Sequence, residues 1–195
     1  DKFVAAFDDG KPSSGKFLMT SDKITLVNSR FILHDYNREN PKDVDFTQLN
    51  VSATDFKIQG PDVTTNIKEM SFKDHRGLFV ENLKSKFTYT KKNIRLEETS
   101  IKTAQSDFEG DVILKYDRKD FADFNNKVIF DVNSKKATIA SNDIRYFYDE
   151  LGKNQIFDFR GKVDGTLNDF TIKNLKLKDT RNSEIVGDVN FKNLF

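Results

Sequence analysis

The chain has 195 residues, and its charges nearly cancel, with 32 Lys and Arg against 31 Asp and Glu. It has no cysteine, which excludes disulfide staples, Cys-based metal sites and thiol nucleophiles. Basic residues alternate with acidic ones along the sequence, which reads as a solvated face and argues against a phosphate-binding stripe and a nucleic-acid partner. No apolar run approaches the roughly 18 residues needed to cross a bilayer as a helix. The chain starts at Asp1 without a signal-peptide pattern, as expected of a piece processed or excised from a longer protein. Apolar residues make up 36% of it, yet Phe alone supplies 19 and Trp none. Burial must therefore rest on a few large side chains, each contributing about 1.5–3 kcal/mol when fully buried.

Along the chain, Asp8 to Gly15 predicts a loop, with Gly10, Pro12 and Gly15 as breakers. Ile24, Leu26, Ser29 and Phe31 then introduce a spacing of x, x+2, x+5, x+7. The polar stretch Asp35 to Asp43 predicts a second loop. The same spacing returns in Val51, Ala53, Phe56 and Ile58, and in Thr65, Ile67, Met70 and Phe72. Leu83, Phe87 and Tyr89 alternate with Lys84, Lys86 and Thr88. Ile94, Leu96, Thr99 and Ile101 repeat the spacing, and Phe108, Val112, Leu114 and Tyr116 alternate with Glu109, Asp111 and Lys115. A short helical turn is expected around Phe121 and Phe124, before Val128, Phe130 and Val132 resume strand alternation.

Ile144, Phe147, Tyr148 and Leu151 have helical spacing, with Ser141 or Asn142 to cap the start and Gly152 the end. They predict a helix near 142–151. Phe157, Phe159, Gly161, Val163, Gly165 and Leu167 again fall on one face of a strand, with Ile156 out of phase. Phe170, Ile172, Leu175 and Leu177 complete the series.

Strand side chains have period two, so each run builds one apolar and one wet side. The three-residue step would flip the face, and a β-bulge restores it by absorbing one residue. A tight turn is the competing reading; the absence of Gly and Pro from these steps favours the bulge. A longer repeat is also visible. Residues 83–117 resemble 159–193, each with a Gly-Asp-Val triplet at Gly110–Val112 and Gly187–Val189. The whole chain, 1–195, reads as one repetitive β segment of quasi-one-dimensional type.

Candidate chemistry is sparse. The two histidines, His34 and His75, each adjoin an aspartate, but neighbours in a strand face opposite ways, so neither pair is expected to act as a dyad. No metal-ligand spacing or glycine-rich phosphate loop is present. The paired carboxylates Asp8-Asp9 and Glu97-Glu98 lie in polar stretches, not across a desolvated pocket. The expectation is therefore no enzyme activity, no cofactor and no metal. What remains is the apolar stripe. It is either the core of a closed β-sandwich or a groove that stays open, and periodicity alone does not choose between them.

The x, x+2, x+5, x+7 steps, the Phe-rich strands and the stretch Asn28–Asn37 resemble the TamB/AsmA-like translocation and assembly module family, closest to its Bacteroidota type. Asn28 to Asp117 and Phe157 to Phe191 carry most of the likeness. The resemblance implies a middle fragment with an all-β fold and a minor helix, its long strands forming a rolled, taco-like sheet with an apolar groove. It implies outer-membrane biogenesis as the process, the periplasm as the location, and an inner-membrane anchor elsewhere in the full-length protein. It implies phospholipid as the partner and, through parts outside this chain, an outer-membrane β-barrel protein. The residues expected to line the groove are Leu83, Phe87, Tyr89, Ile94, Leu96, Val112, Leu114, Val128, Phe130, Phe157, Phe159, Val163, Phe170 and Ile172. The rival readings are a scaffold that pairs with incoming outer-membrane strands by β-augmentation and a closed β-sandwich binding module.

Overall fold

The computed structural model describes residues 17–33, 44–149 and 151–194. The expected loops Asp8 to Gly15 and Asp35 to Asp43, and His34, lie outside the described residues. Ten strands follow one another: β1 (Leu18–Leu33), β2 (Val44–Gln59), β3 (Asp62–Asp74), β4 (Phe79–Tyr89), β5 (Asn93–Lys102), β6 (Asp107–Lys115), β7 (Ile129–Ala140), β8 (Ile156–Gly165), β9 (Phe170–Asp179) and β10 (Glu184–Phe191). They form one antiparallel sheet in chain order. Among the described residues each strand pairs only with its chain neighbours, so β1 and β10 are the edges of the sheet and it does not close. The described residues thus form a single open, grooved sheet with little helix, and not a closed sandwich.

The three-residue steps are bulges. Register shifts fall between Leu26 and Ser29, between Ile67 and Met70, and between Leu96 and Thr99, and the pairing of β2 with β3 shifts between Thr54 and Lys57. In four of the steps the second residue takes a left-handed backbone: Asn28 (φ 44°), Asp55 (54°), Glu98 (51°) and Asn174 (52°). Three of these are Asn or Asp, which tolerate that conformation because their short polar side chains hydrogen-bond locally. A tight turn would have ended the strand, whereas these strands continue on both sides of the step.

The Gly-Asp-Val repeat has its origin here. The backbone N–H of Glu98 donates to Asp111 Oδ1 at 2.8 Å, and that of Asn174 donates to Asp188 Oδ1 at 2.8 Å. Each aspartate reaches from the partner strand to satisfy the amide that its neighbour's bulge turned out of the ladder. Each glycine sits opposite the bulged strand, Gly110 across from Thr99 and Gly187 across from Leu175. A Cβ at Gly110 would lie 2.2 Å from the Asn133 carbonyl oxygen on the other neighbouring strand. From β5 onward, bulged and glycine-bearing strands alternate. β7 has the bulge, with a register shift between Ser134 and Ala137, and β8 has Gly161. The repeat therefore spans two hairpins.

Two longer connectors leave opposite ends of β7. Residues 116–128 contain a 3-10 helix (Arg118–Asp123) and α1 (Phe124–Lys127), the helical turn expected around Phe121 and Phe124. Among the described residues of 141–155 there is one helical turn, α2 (Ser141–Ile144), so the helix expected near 142–151 does not continue beyond it. A helix of that length depends on packing of its apolar face, and Phe147 is 60% exposed. Polar anchors fix the loop instead. Ser141 Oγ accepts the Gln155 N–H at 3.0 Å, Thr103 and Ser106 hydroxyls each donate to Asp143 Oδ2 at 2.6 Å, and Arg145 donates to the carbonyls of Asp149 and Leu151.

Candidate functional site

Cross-strand register assembles the apolar residues into rows that run at right angles to the strands. One row takes a residue from every strand: Leu26, Val51, Met70, Leu83, Ile101, Phe108, Ala137, Phe159, Leu177 and Ile185. A second runs Met19, Ile58, Val63, Tyr89, Ile94, Leu114, Phe130, Gly165, Phe170 and Phe191. Between them lies a row with Phe87, Leu96, Val112, Val132, Val163, Ile172 and Val189. The bulges keep all three rows on one face. Without them, each bulged strand would present its polar side halfway along.

The candidate lining residues divide. Tyr89, Ile94, Leu114, Phe130 and Phe170 share one row, and Phe87, Leu96, Val112, Val163 and Ile172 another. Phe159 and Leu83 stand in the first row described, and Phe157 lies just beyond it, opposite Ile139. Leu83 is buried in a cluster with Leu49, Phe72 and Val80. Val128 is not in the face at all. It precedes β7 in the connector, bonds back to the Phe124 carbonyl and has no exposed surface, so it supports the sheet and cannot touch a ligand. Its alternation with Phe130 and Val132 continues a strand pattern past the strand's first residue.

Exposure varies along the face. In β2 to β5, Leu49, Phe72, Val80 and Leu83 are buried, and the Phe46 and Phe72 ring centroids lie 4.2 Å apart. In β6 to β9, Val112, Leu114, Phe130, Phe159, Val163 and Ile172 are only half-buried. The connector 116–128 closes one end of this stretch. Tyr116 is buried, packs at a tilt with its ring centroid 4.6 Å from that of Phe121 and donates its hydroxyl to the Thr90 carbonyl at 3.0 Å. Burial, reinforced by Tyr89, pushes its phenol up to about 12.

Asp74 and His75 do approach one another, with His75 Nδ1 3.5 Å from Asp74 Oδ2. Strand alternation does not separate them because Asp74 is the last residue of β3 and His75 begins the turn. The buried Asp74 carboxylate also accepts the Arg76 N–H at 2.9 Å and its guanidinium at 3.2 Å. This fixes the turn, and Arg76 in turn lies 4.9 Å over the Phe147 ring. Among the described residues no His, Asp or Glu cluster could hold a metal ion. Two shallow hollows of about 400 and 510 Å³ draw much of their lining from polar residues, including Asn50, Glu69 and Asn82 in one and Lys68, Lys84 and Glu98 in the other. No described helix is long and apolar enough to cross a membrane.

The polar face also differs from its sequence-level reading. In β4 to β6 its charges are paired, as in Lys86–Glu98 at 2.6 Å and Arg95–Glu97 at 2.6 Å. In β7 to β9, pairing collects the basic residues into a patch, although acids separate them along the chain. No protein-family model, curated protein or solved structure matches this chain.

Proposed function

We propose that this chain is a non-catalytic segment of a lipid-transfer bridge, similar to the TamB/AsmA-like proteins, whose inner face holds phospholipid acyl chains during outer-membrane biogenesis. The observation that carries this reading is the pair of apolar rows running unbroken by charge from β1 to β10, with no second sheet over them among the described residues. Burying acyl chains on this face gains about 0.8 kcal/mol per CH₂, and the attraction is non-directional, so a chain can slide along the rows. The half-buried stretch from β6 to β9 is the part with room for them. In this reading the segment lies in the periplasm. The anchor and the outer-membrane β-barrel partner belong to other parts of the protein.

Native mass spectrometry of the purified chain, followed by lipid extraction, tests the proposal. Co-purifying phospholipid is the expected result, and Phe130→Asp, in the middle of a row, is expected to release it without loss of β-sheet circular dichroism. A lipid-free chain that cannot be loaded from detergent would end the reading. The open edges β1 and β10 favour one alternative, a scaffold that pairs with incoming strands. Crosslinks from β1 or β10 to nascent barrel proteins, with no lipid bound, would select it.

A further inference from the structure

We propose that the polar face of β7 to β9 is a docking surface for an anionic phospholipid bilayer. β7 contributes Lys135 and Lys136, β8 Arg160 and Lys162, and β9 Lys173 and Lys176, all of them exposed. The register places Arg160 directly opposite Lys176 and Lys162 directly opposite Lys173. Strands lie about 4.8 Å apart and residues two apart along a strand about 7 Å, so the six cations occupy a patch roughly 10 Å on a side.

Like charges directly opposed across strands are destabilising. Relief is partial: Glu109 stands opposite Lys136, and Asp158 and Asp164 flank Arg160 and Lys162 on the same face of β8, but no carboxylate stands between the two opposed pairs. Among the described residues only Lys162 of the six forms an ion pair, with Asp131 at 3.7 Å, and that carboxylate already holds Lys115 at 2.8 Å. The same sheet alternates its charges in β4 to β6, where Lys86 stands opposite Glu97. The repulsion in β7 to β9 is thus a local feature of the sequence and not a property of the fold. An anionic partner would turn it into attraction.

The composition of the patch selects the partner. Five of its six cations are Lys, a hydrated point charge on a flexible stem. Protein–protein interfaces are depleted in Lys and use the Arg fork to read carboxylates. The aromatic residues of these strands, Phe130, Phe157, Phe159 and Phe170, stand on the other face, so the cations have no platform on which bases could stack. None of the six is buried, so they do not enclose a single anion. On β10, Val186 stands opposite Lys176 and is 64% exposed, which adds an aliphatic side chain to the rim. A plane of headgroup phosphates fits this diffuse, wet and extended array. The inference is independent of the acyl-chain reading, which concerns the opposite face.

Co-sedimentation with phosphatidylcholine vesicles, with and without phosphatidylglycerol, tests it. The 195-residue chain is expected to partition preferentially onto the phosphatidylglycerol vesicles and to leave them as salt is raised. Each Lys→Ser change at 135, 136, 173 or 176 is expected to weaken partition about fivefold. The double variant Lys162→Thr, Lys173→Thr gives a second reading, because it removes an opposed pair. Its melting temperature is expected to rise by about 1–3 °C while its partition falls about twentyfold. Equal partition onto both vesicle types would overturn the proposal. So would anionic partition unchanged in the double variant, or displacement from vesicles by an acidic polypeptide at lower charge concentration than by the lipid itself.

Discussion

Strands β2 to β5 and strands β7 to β10 have the same alternation of apolar and polar residues and use it differently. In the first group the inward side chains close on one another, with Leu49, Phe72, Val80 and Leu83 buried and Phe46, Met70 and Ile101 packed around them. In the second, the fully buried inward apolar residues are few, Ala137 and Leu175, while Ile185 at 53% and Phe191 at 37% remain exposed. The outward faces differ in the same sense. Charges are paired in β4 to β6 and gathered with like sign in β7 to β9. One end of the sheet thus satisfies itself, and the other presents both an apolar and a basic surface. Period-two patterning establishes a face, but the size of its side chains and their cross-strand neighbours decide whether that face becomes core or surface.

The sharpest way to break this contrast is truncation. Phe72→Ala removes a buried ring and is expected to cost about 3–5 kcal/mol in urea unfolding. Phe159→Ala, on the same face but half-buried, is expected to cost about 1–2 kcal/mol. Equal losses would mean that the two regions do not differ in packing.

Next in size are the glycines opposite the bulges. Gly110→Ala drives a Cβ into the Asn133 carbonyl and is expected to cost about 3 kcal/mol, since the atom it meets is backbone. Gly187→Ala meets nothing within 4 Å, but its φ of 146° is a strained conformation for a side-chain-bearing residue, so about 1–2 kcal/mol is expected. Asp111→Ala and Asp188→Ala should each lose about 1–2 kcal/mol by leaving a bulge amide without its acceptor. A loss from only one of them would show that the repeated triplet preserves something other than the bulge.

The smallest effects concern pH. Asp131 lies below the usual carboxylate range chiefly because Lys115 hydrogen-bonds it, Glu97 because of Arg95, and Asp179 because of backbone amides led by Ser183. Depressed carboxylates contribute stability above their unfolded values and lose it as pH falls through the folded ones, so the melting temperature should decline below about pH 4. Asp131→Asn should flatten that decline for the β6–β8 region. Tyr116 works in the opposite range. Its stabilisation is complete below the ordinary phenol value of 10.0 and is lost as pH rises toward about 12, and Tyr116→Phe should remove that alkaline limb.

Much of the sheet was legible in the sequence because it depends on local spacing. The steps at Asn28, Asp55, Glu98 and Asn174 could be read as bulges, since a strand that must keep one face has few other ways to absorb an odd residue. The copy in β7 was missed because Val132, Ser134, Ala137 and Ile139 include two small residues that do not stand out as apolar. The helix expected near 142–151 stops after one turn because helical spacing says nothing about whether an apolar surface receives it, and Phe147 stays 60% exposed beneath the Arg76 guanidinium. Val128 falls outside the strand for a related reason, because its alternation with Phe130 runs past the true start of β7.

By itself, the sequence determined that this chain forms long one-faced strands, where they bulge, and that a Gly-Asp-Val triplet recurs. These follow from side-chain period and backbone sterics within a few residues. Only the tertiary structure decided that the rows align across all ten strands, that the sheet stays open, and that Arg160 meets Lys176 and Lys162 meets Lys173. Those outcomes depend on register, which brings together residues 11 to 18 positions apart in Lys162/Lys173, Phe159/Leu177 and Leu114/Phe130, and no local pattern encodes it.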